Sequence, residues 1–209
     1  MLKVEVVPGL TFTVLGPHDE QLQALDKEWQ KVKTEAKTVK ARASDYSNRT
    51  VPNLSSIVVL AEVKVGAKTK RVLLTGDAGG DHILQTLERG KLMTDGKFSV
   101  DVLKVQHHGS NHSVDINFFR KVIAPVYVIC GNGTHGIPHP STLKWLSKAR
   151  SSEPYEVYFT NRKGDFEKAG DNGLTKMLDK FLASEKKDQP KHLYHFRGEN
   201  DLFIPVQVI

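Results

Sequence analysis

Between residues 55 and 160 the chain alternates short apolar runs with segments of helical spacing, and several of the runs stop abruptly at polar residues. This alternation constrains the fold more than any other feature. A run of four to eight apolar or β-branched residues between turn residues reads as a strand. Strands alternating with amphipathic helices read as mixed sheets covered by helices. The runs are 55–65 and 70–76, a hairpin around Gly66-Ala67-Lys68-Thr69, followed by 99–106, 125–130 and 155–160. Helical spacing occupies 80–92, 113–123, 141–150 and 172–185. In the last of these, Leu174, Met177, Leu178, Phe181 and Leu182 recur three and four residues apart and mark a core-facing stripe.

The flanks follow the same logic. Residues 2–16 read as a hairpin turning at Pro8-Gly9. A long helix is expected over 19–42, with Leu22, Leu25, Trp29, Val32, Ala36 and Val39 on one face. Residues 43–54 are polar, contain Pro52 and read as a loop. The chain is expected to end in two strands, 192–197 and 202–208, bent at Gly198-Glu199-Asn200-Asp201. No internal repeat or low-complexity tract divides it, so 1–209 reads as a single α/β domain.

Composition narrows the setting. No stretch approaches the roughly 20 apolar residues that span a bilayer. The start, MLKVEVVPGL, lacks the basic region and apolar block of a signal peptide. The single cysteine, Cys130, forms no internal disulfide. The expectation is a cytoplasmic protein with no membrane partner. Lys plus Arg is 30 and Asp plus Glu is 24, a net charge of +6. That excess favours an anionic partner, nucleic acid among the candidates, through long-range attraction. Ten of the 22 lysines lie in 27–40 and 176–191, where they solvate the surface. No basic stripe interleaved with aromatics marks a nucleic-acid groove.

Three polar clusters sit where runs end. Leu73-Leu74-Thr75-Gly76-Asp77 places a carboxylate at a strand end. There it can bind a divalent cation, or cap the helix beginning near Gly80. Gln106-His107-His108-Gly109-Ser110-Asn111-His112 follows the strand 99–106. Its imidazoles are candidate zinc ligands, although two histidines alone do not complete a coordination sphere. They also suit a loop held by hydrogen bonds. Thr134-His135-Gly136-Ile137-Pro138-His139-Pro140-Ser141 precedes the helix 141–150, with Ser141 or Thr142 as the expected cap. A helix start favours an anion. His135 and His139 can meet a substrate or donate a proton there, or they simply lie exposed on a rigid turn.

The order of these pieces resembles the metallo-β-lactamase superfamily, and within it the branch containing the hydrolase domain of ComEC-type DNA-uptake proteins. The resemblance is carried by Asn53-Leu54-Ser55-Ser56, LLTGDAGGD (73–81), VLKVQHHGSNHS (102–113) and HGIPHPSTLKWL (135–146), within about residues 50–150. It implies a layered αββα sandwich with a metal site at the edge between its sheets, often two zinc ions, other divalent metals being alternatives. On that resemblance Asp77 takes the bridging-aspartate role. One of His107 and His108 takes the last histidine ligand, His107 being favoured as the first after the strand. Ser110 and His112 would line the site, and His135 and His139 would approach the substrate. The family's nucleophile is a metal-bound hydroxide. The chain departs from the family in lacking its main signature, His-x-His-x-Asp-His. The sandwich is therefore expected without its N-terminal half.

Two functions follow as expectations. The first is a metal-dependent hydrolase of a phosphodiester or other ester, catalytic through Asp77, His107 and His108. Its site would be completed by a missing N-terminal half-domain or partner. The second is a non-catalytic half-domain that binds or assembles, with a homo-oligomer or a partner polypeptide covering its apolar sheet surface.

Overall fold

The computed structural model of the protein describes residues 1–35, 50–168 and 172–206. The first hairpin forms as expected. Strand β1 (Leu2–Val7) runs antiparallel to β2 (Leu10–Gly16), turning at Pro8-Gly9. Helix α1 (Asp19–Glu35) follows. Two residues of its apolar stripe, Leu22 and Trp29, are exposed. The rest of the expected helix, 36–42, and the expected loop over 43–49 lie outside the described residues. The end of that loop is helical instead: α2 (Val51–Leu54) starts at a Thr50 cap, whose side chain accepts from the Asn53 N–H. Pro52 suits a helix start because its missing N–H would have had no intrahelical partner.

The second hairpin is tighter than the sequence implied. β3 (Val58–Val65) and β4 (Lys68–Leu74) are joined by Gly66-Ala67 alone, so Lys68 and Thr69 belong to the ladder. Helix α3 (Gly80–Arg89) comes next. The expected strand 99–106 is broken into β5 (Phe98–Ser99) and β6 (Val102–Lys104), and its last residues turn out of the sheet. Helix α4 (Ile116–Lys121) is shorter than expected, because Asp115 caps it by accepting from the Phe118 N–H. Then come β7 (Val122–Ile123), β8 (Val126–Ile129), α5 (Pro140–Ala149) and β9 (Tyr155–Phe159). A short helix outside the expected elements, α6 (Lys163–Lys168), precedes α7 (Asn172–Asp188) and β10 (His192–Phe196). The expected final strand does not form over the described residues 202–206. Pro205 there has no N–H to give a ladder.

Eight strands form one sheet in the order β1-β2-β3-β4-β6-β8-β9-β10. The first four are antiparallel, and from β4 to β10 the pairs are parallel. Among the described strands, β5 and β7 lie outside it, as a two-stranded parallel pair. The fold is thus mixed α/β on a large sheet. No second large sheet faces it among the described residues.

Register explains the core. Leu60, Leu73, Leu103, Tyr127 and Val157 align across five strands and share one face. They are buried with Ile83, Leu87, Phe118, Phe119, Leu143, Leu146, Phe166, Leu174, Leu178 and Phe181 from the helices. Each such side chain stabilises the fold by about 1.5–3 kcal/mol relative to exposure. The opposite face carries Phe12, Val14, Val59, Val63, Val72, Leu74 and Val128, all at least partly accessible, around the buried Ala61, Val102 and Val126. The sheet is therefore apolar on both faces, and the core lies on one of them.

One polar network is built into the buried face. Glu185 accepts from Ser147 Oγ (2.7 Å), Tyr194 OH (2.9 Å) and His192 Nδ1 (2.9 Å). His192 Nε2 faces the Arg150 carbonyl at 3.2 Å, and Tyr155 OH meets Tyr194 OH at 2.9 Å. The His192 ring also stacks on Tyr155, with centroids 4.0 Å apart. The side-chain polar atoms of Glu185, His192, Tyr155 and Tyr194 all have partners, as burial requires.

Candidate functional site

Three parallel strands end at one level. Leu74, Lys104 and Val128 are neighbours across β4, β6 and β8, so 75–79, 105–113 and 130–139 gather at one edge of the sheet. Ligand sites of α/β sheets occupy such strand ends. Hydrogen bonds to backbone carbonyls stitch the segments together. Thr75 Oγ1 donates to the Lys104 carbonyl (2.7 Å), the His107 N–H to Gly76 O (3.0 Å), and the His139 N–H to Gly109 O (3.0 Å). Two glycines permit this crowding. Gly76 has φ 52°, and a Cβ on it would lie 2.9 Å from the Ser56 Cβ. Gly109 has φ 84°, and its Cβ would lie 2.8 Å from the Pro138 Cβ.

The two adjacent histidines diverge. His107 (φ 46°, ψ 50°) and His108 (φ 55°, ψ 18°) are both left-handed, and Gly109 makes three such residues in succession. Non-glycine residues are uncommon there, and strained backbone of this kind concentrates at functional sites. The twist sends His107 inward. Its ring is buried, with Nδ1 2.9 Å from Ser113 Oγ and Nε2 3.4 Å from Asn53 Nδ2. His108 turns outward to Asp77: Nε2 stands 3.7 Å from Asp77 Oδ1, and both side chains are partly exposed.

Hydrogen bonding assigns the His108 tautomer. Its Nδ1 lies 3.1 Å from the Cys130 carbonyl, which can only accept. Nδ1 therefore carries the proton, and in the neutral ring Nε2 keeps its lone pair. That lone pair faces a carboxylate oxygen. Two electron-pair donors so placed are satisfied by a proton or a cation between them. Two zinc ligands, each at ~2.0–2.1 Å, lie about 3.3 Å apart in a tetrahedral site, near the observed spacing.

The other predicted residues lie on the same strand-end segments. Ser110 is fully buried. Its N–H donates to His107 O (2.8 Å) and its Oγ accepts from the His112 N–H (3.3 Å), so it braces the turn from inside. His139, rather than Ser141 or Thr142, caps α5: its Nδ1 accepts from the Ser141 N–H at 3.2 Å. Nε2 then carries the proton of the neutral ring. Burial lowers the His139 pKa, and the nearby His112 and Lys144 charges lower it further. His135 is exposed on a 3-10 turn, Thr134–Gly136, with φ 60°.

Lys104 and Ser113 join the site without having been singled out. Lys104 Nζ donates to Gly76 O at 2.8 Å. Burial depresses its pKa, against the opposing pull of Cys130 and Asp77. A lone charge within the apolar strand VLKV was the available signal. For His107 the signal was phase: counted along the strand it falls with Leu103 and Val105, both fully buried.

Asp77 and His108 remain two donors. No group of three or more His, Cys, Asp or Glu side chains able to hold a metal occurs among the described residues. A catalytic zinc takes three protein ligands and an open position. The described residues do not make that set by themselves, and no metal-dependent step is assigned to them alone. Among the described residues, no helix is long and apolar enough to cross a membrane. Comparison of the chain with protein-family models, curated proteins and solved structures gives no match.

Proposed function

We propose that this chain carries part of the site of a metallo-β-lactamase-type hydrolase acting on a phosphodiester or another ester. In this reading Asp77 and His108 are two of the metal ligands, His107 holds the turn that aims His108, and a further polypeptide segment supplies the missing donors. The carrying observation is the approach of Asp77 Oδ1 and the His108 Nε2 lone pair at 3.7 Å, at the common end of three parallel strands. The net charge of +6 supports an anionic substrate. The helices and the sheet would be two of the four layers of an αββα sandwich, and the accessible apolar face would meet the second sheet.

The test is zinc titration of the purified chain, alone and mixed with the polypeptide encoded just upstream of it. Weak binding alone and tight binding in the mixture are expected. Phosphodiester turnover by the mixture should be lost in Asp77→Ala and His108→Ala. Tight binding of two zinc ions by the chain alone, or a metal-free and inactive mixture, rejects this reading.

One observation favours a second reading, an assembly module without catalysis. Leu74 is exposed on a sheet face that also carries the accessible Phe12, Val14, Val59, Val63 and Val72, and an apolar face of this kind marks contact with another polypeptide. A stable complex with neither metal nor turnover is its expected outcome.

A further inference from the structure

A groove of about 620 Å³ runs between α5 and α7, on the helical layer outside the strand-end site. Met177, half exposed, and the buried Phe181 contribute apolar lining. Lys144 and Lys148, one turn apart on α5, and Lys180 on α7 line it as well, all exposed. None of these lysines is in an ion pair with a described residue. The neighbouring acids are largely engaged. Asp179 pairs with Lys163, Glu153 with Arg150, and the Glu185 carboxylate takes three hydrogen bonds from the core. Asp188 accepts from Ser184 Oγ at one end. The groove thus has an apolar floor and an unneutralised positive rim. The buried Ser147–Glu185 bond ties its two walls together.

We propose that this groove docks an acidic amphipathic helix of a partner protein. Two packed helices offer ridges and a groove into which a third helix fits. Met177 adapts to differing apolar side chains, and the lysine stems cover apolar surface while their ammonium groups meet carboxylates. Helix α5, with ten residues, is about 15 Å long, which matches a contact of roughly three turns. Single-stranded nucleic acid suits the groove less well, because bases stack on exposed aromatics and Phe181 is covered.

Fluorescence anisotropy with a labelled helical peptide of glutamate, alanine and leucine, its leucines at i, i+3, i+4 and i+7, tests this directly. Saturable binding is expected. It should weaken about tenfold or more in K144E/K148E/K180E, in Met177→Asp, and when glutamines replace the peptide's glutamates. The milder K144Q/K148Q/K180Q should fall between, with thermal melts confirming that each variant is folded. Absence of saturable binding, equal binding by the triple-reversal variant or by the glutamine peptide, or binding of an oligothymidylate in place of the peptide overturns the proposal. The readout involves neither metal nor turnover, so it stands apart from the hydrolase reading.

Discussion

Glu185 and His192 meet at 2.9 Å inside the core, whereas Asp77 and His108 face each other at 3.7 Å at the sheet edge. The inner carboxylate takes three donors, and both nitrogens of its histidine face acceptors. The outer histidine has one nitrogen committed to a carbonyl and the other turned to a carboxylate beyond hydrogen-bond range. Saturation and burial make the first pair a structural element, since any further ligand would have to displace a bond already made. The second pair is accessible and incompletely satisfied, which is what a binding site needs before its ligand arrives.

The comparison is broken most severely from the inside. Glu185→Ala strips the acceptor from Ser147, Tyr194 and His192 together and is expected to cost about 3–5 kcal/mol, read as a lower urea midpoint. If it cost less than the exposed pair's variants, the structural assignment would fail.

Alkaline titration probes the buried phenols near the inner pair. Burial raises the pKa of Tyr127 to about 12 and also raises those of Tyr155 and Tyr194. A folded pKa above the unfolded value of about 10 means that the unfolded chain loses its proton first. The stabilisation is therefore complete below pH ~10 and declines as pH rises toward ~12, by on the order of 2–3 kcal/mol for Tyr127. Urea midpoints from pH 9 to 11 should fall steadily, and Tyr127→Phe should flatten that fall.

His107→Ala should cost about 1–3 kcal/mol, because Ser113 and Asn53 lose a buried partner. It should also loosen the turn that aims His108, so zinc affinity would drop without vanishing. Asp77→Ala should change stability least, within about 0.5 kcal/mol, and His108→Ala by about 0.5–1.5 kcal/mol through its bond to the Cys130 carbonyl, while each removes zinc binding altogether. A large loss of stability in either would place the outer pair in the same structural class as the inner one.

Much of the fold was legible locally. The hairpin at Pro8-Gly9, the apolar runs around Leu73, Leu103 and Tyr127, and the stripe of α7 follow from backbone preferences and from periods of two and 3.6 residues. Boundaries were less so. Asp115 and His139 begin helices because their side chains find backbone donors, and the 99–106 run breaks because its parallel partner pairs with only three residues of it. The candidate site was legible in residue type and order, with Asp77 and the His107-His108 pair each at a strand end. Which histidine faces Asp77 was not, since two left-handed residues reorient the chain there and local propensity does not favour them.

The Glu185–His192–Tyr194 network shows the same limit more strongly. Nothing in the local sequence joins Glu185 to Ser147 or Tyr155 to Tyr194; packing of α5 against α7 and the parallel register of β9 and β10 do so. The sequence by itself determined the elements and the chemical types available at strand ends, because these depend on neighbours along the chain. Tertiary structure decided which polar groups are saturated in the core and which face each other across an open edge. Hydrogen-bond satisfaction and burial depend on neighbours in space.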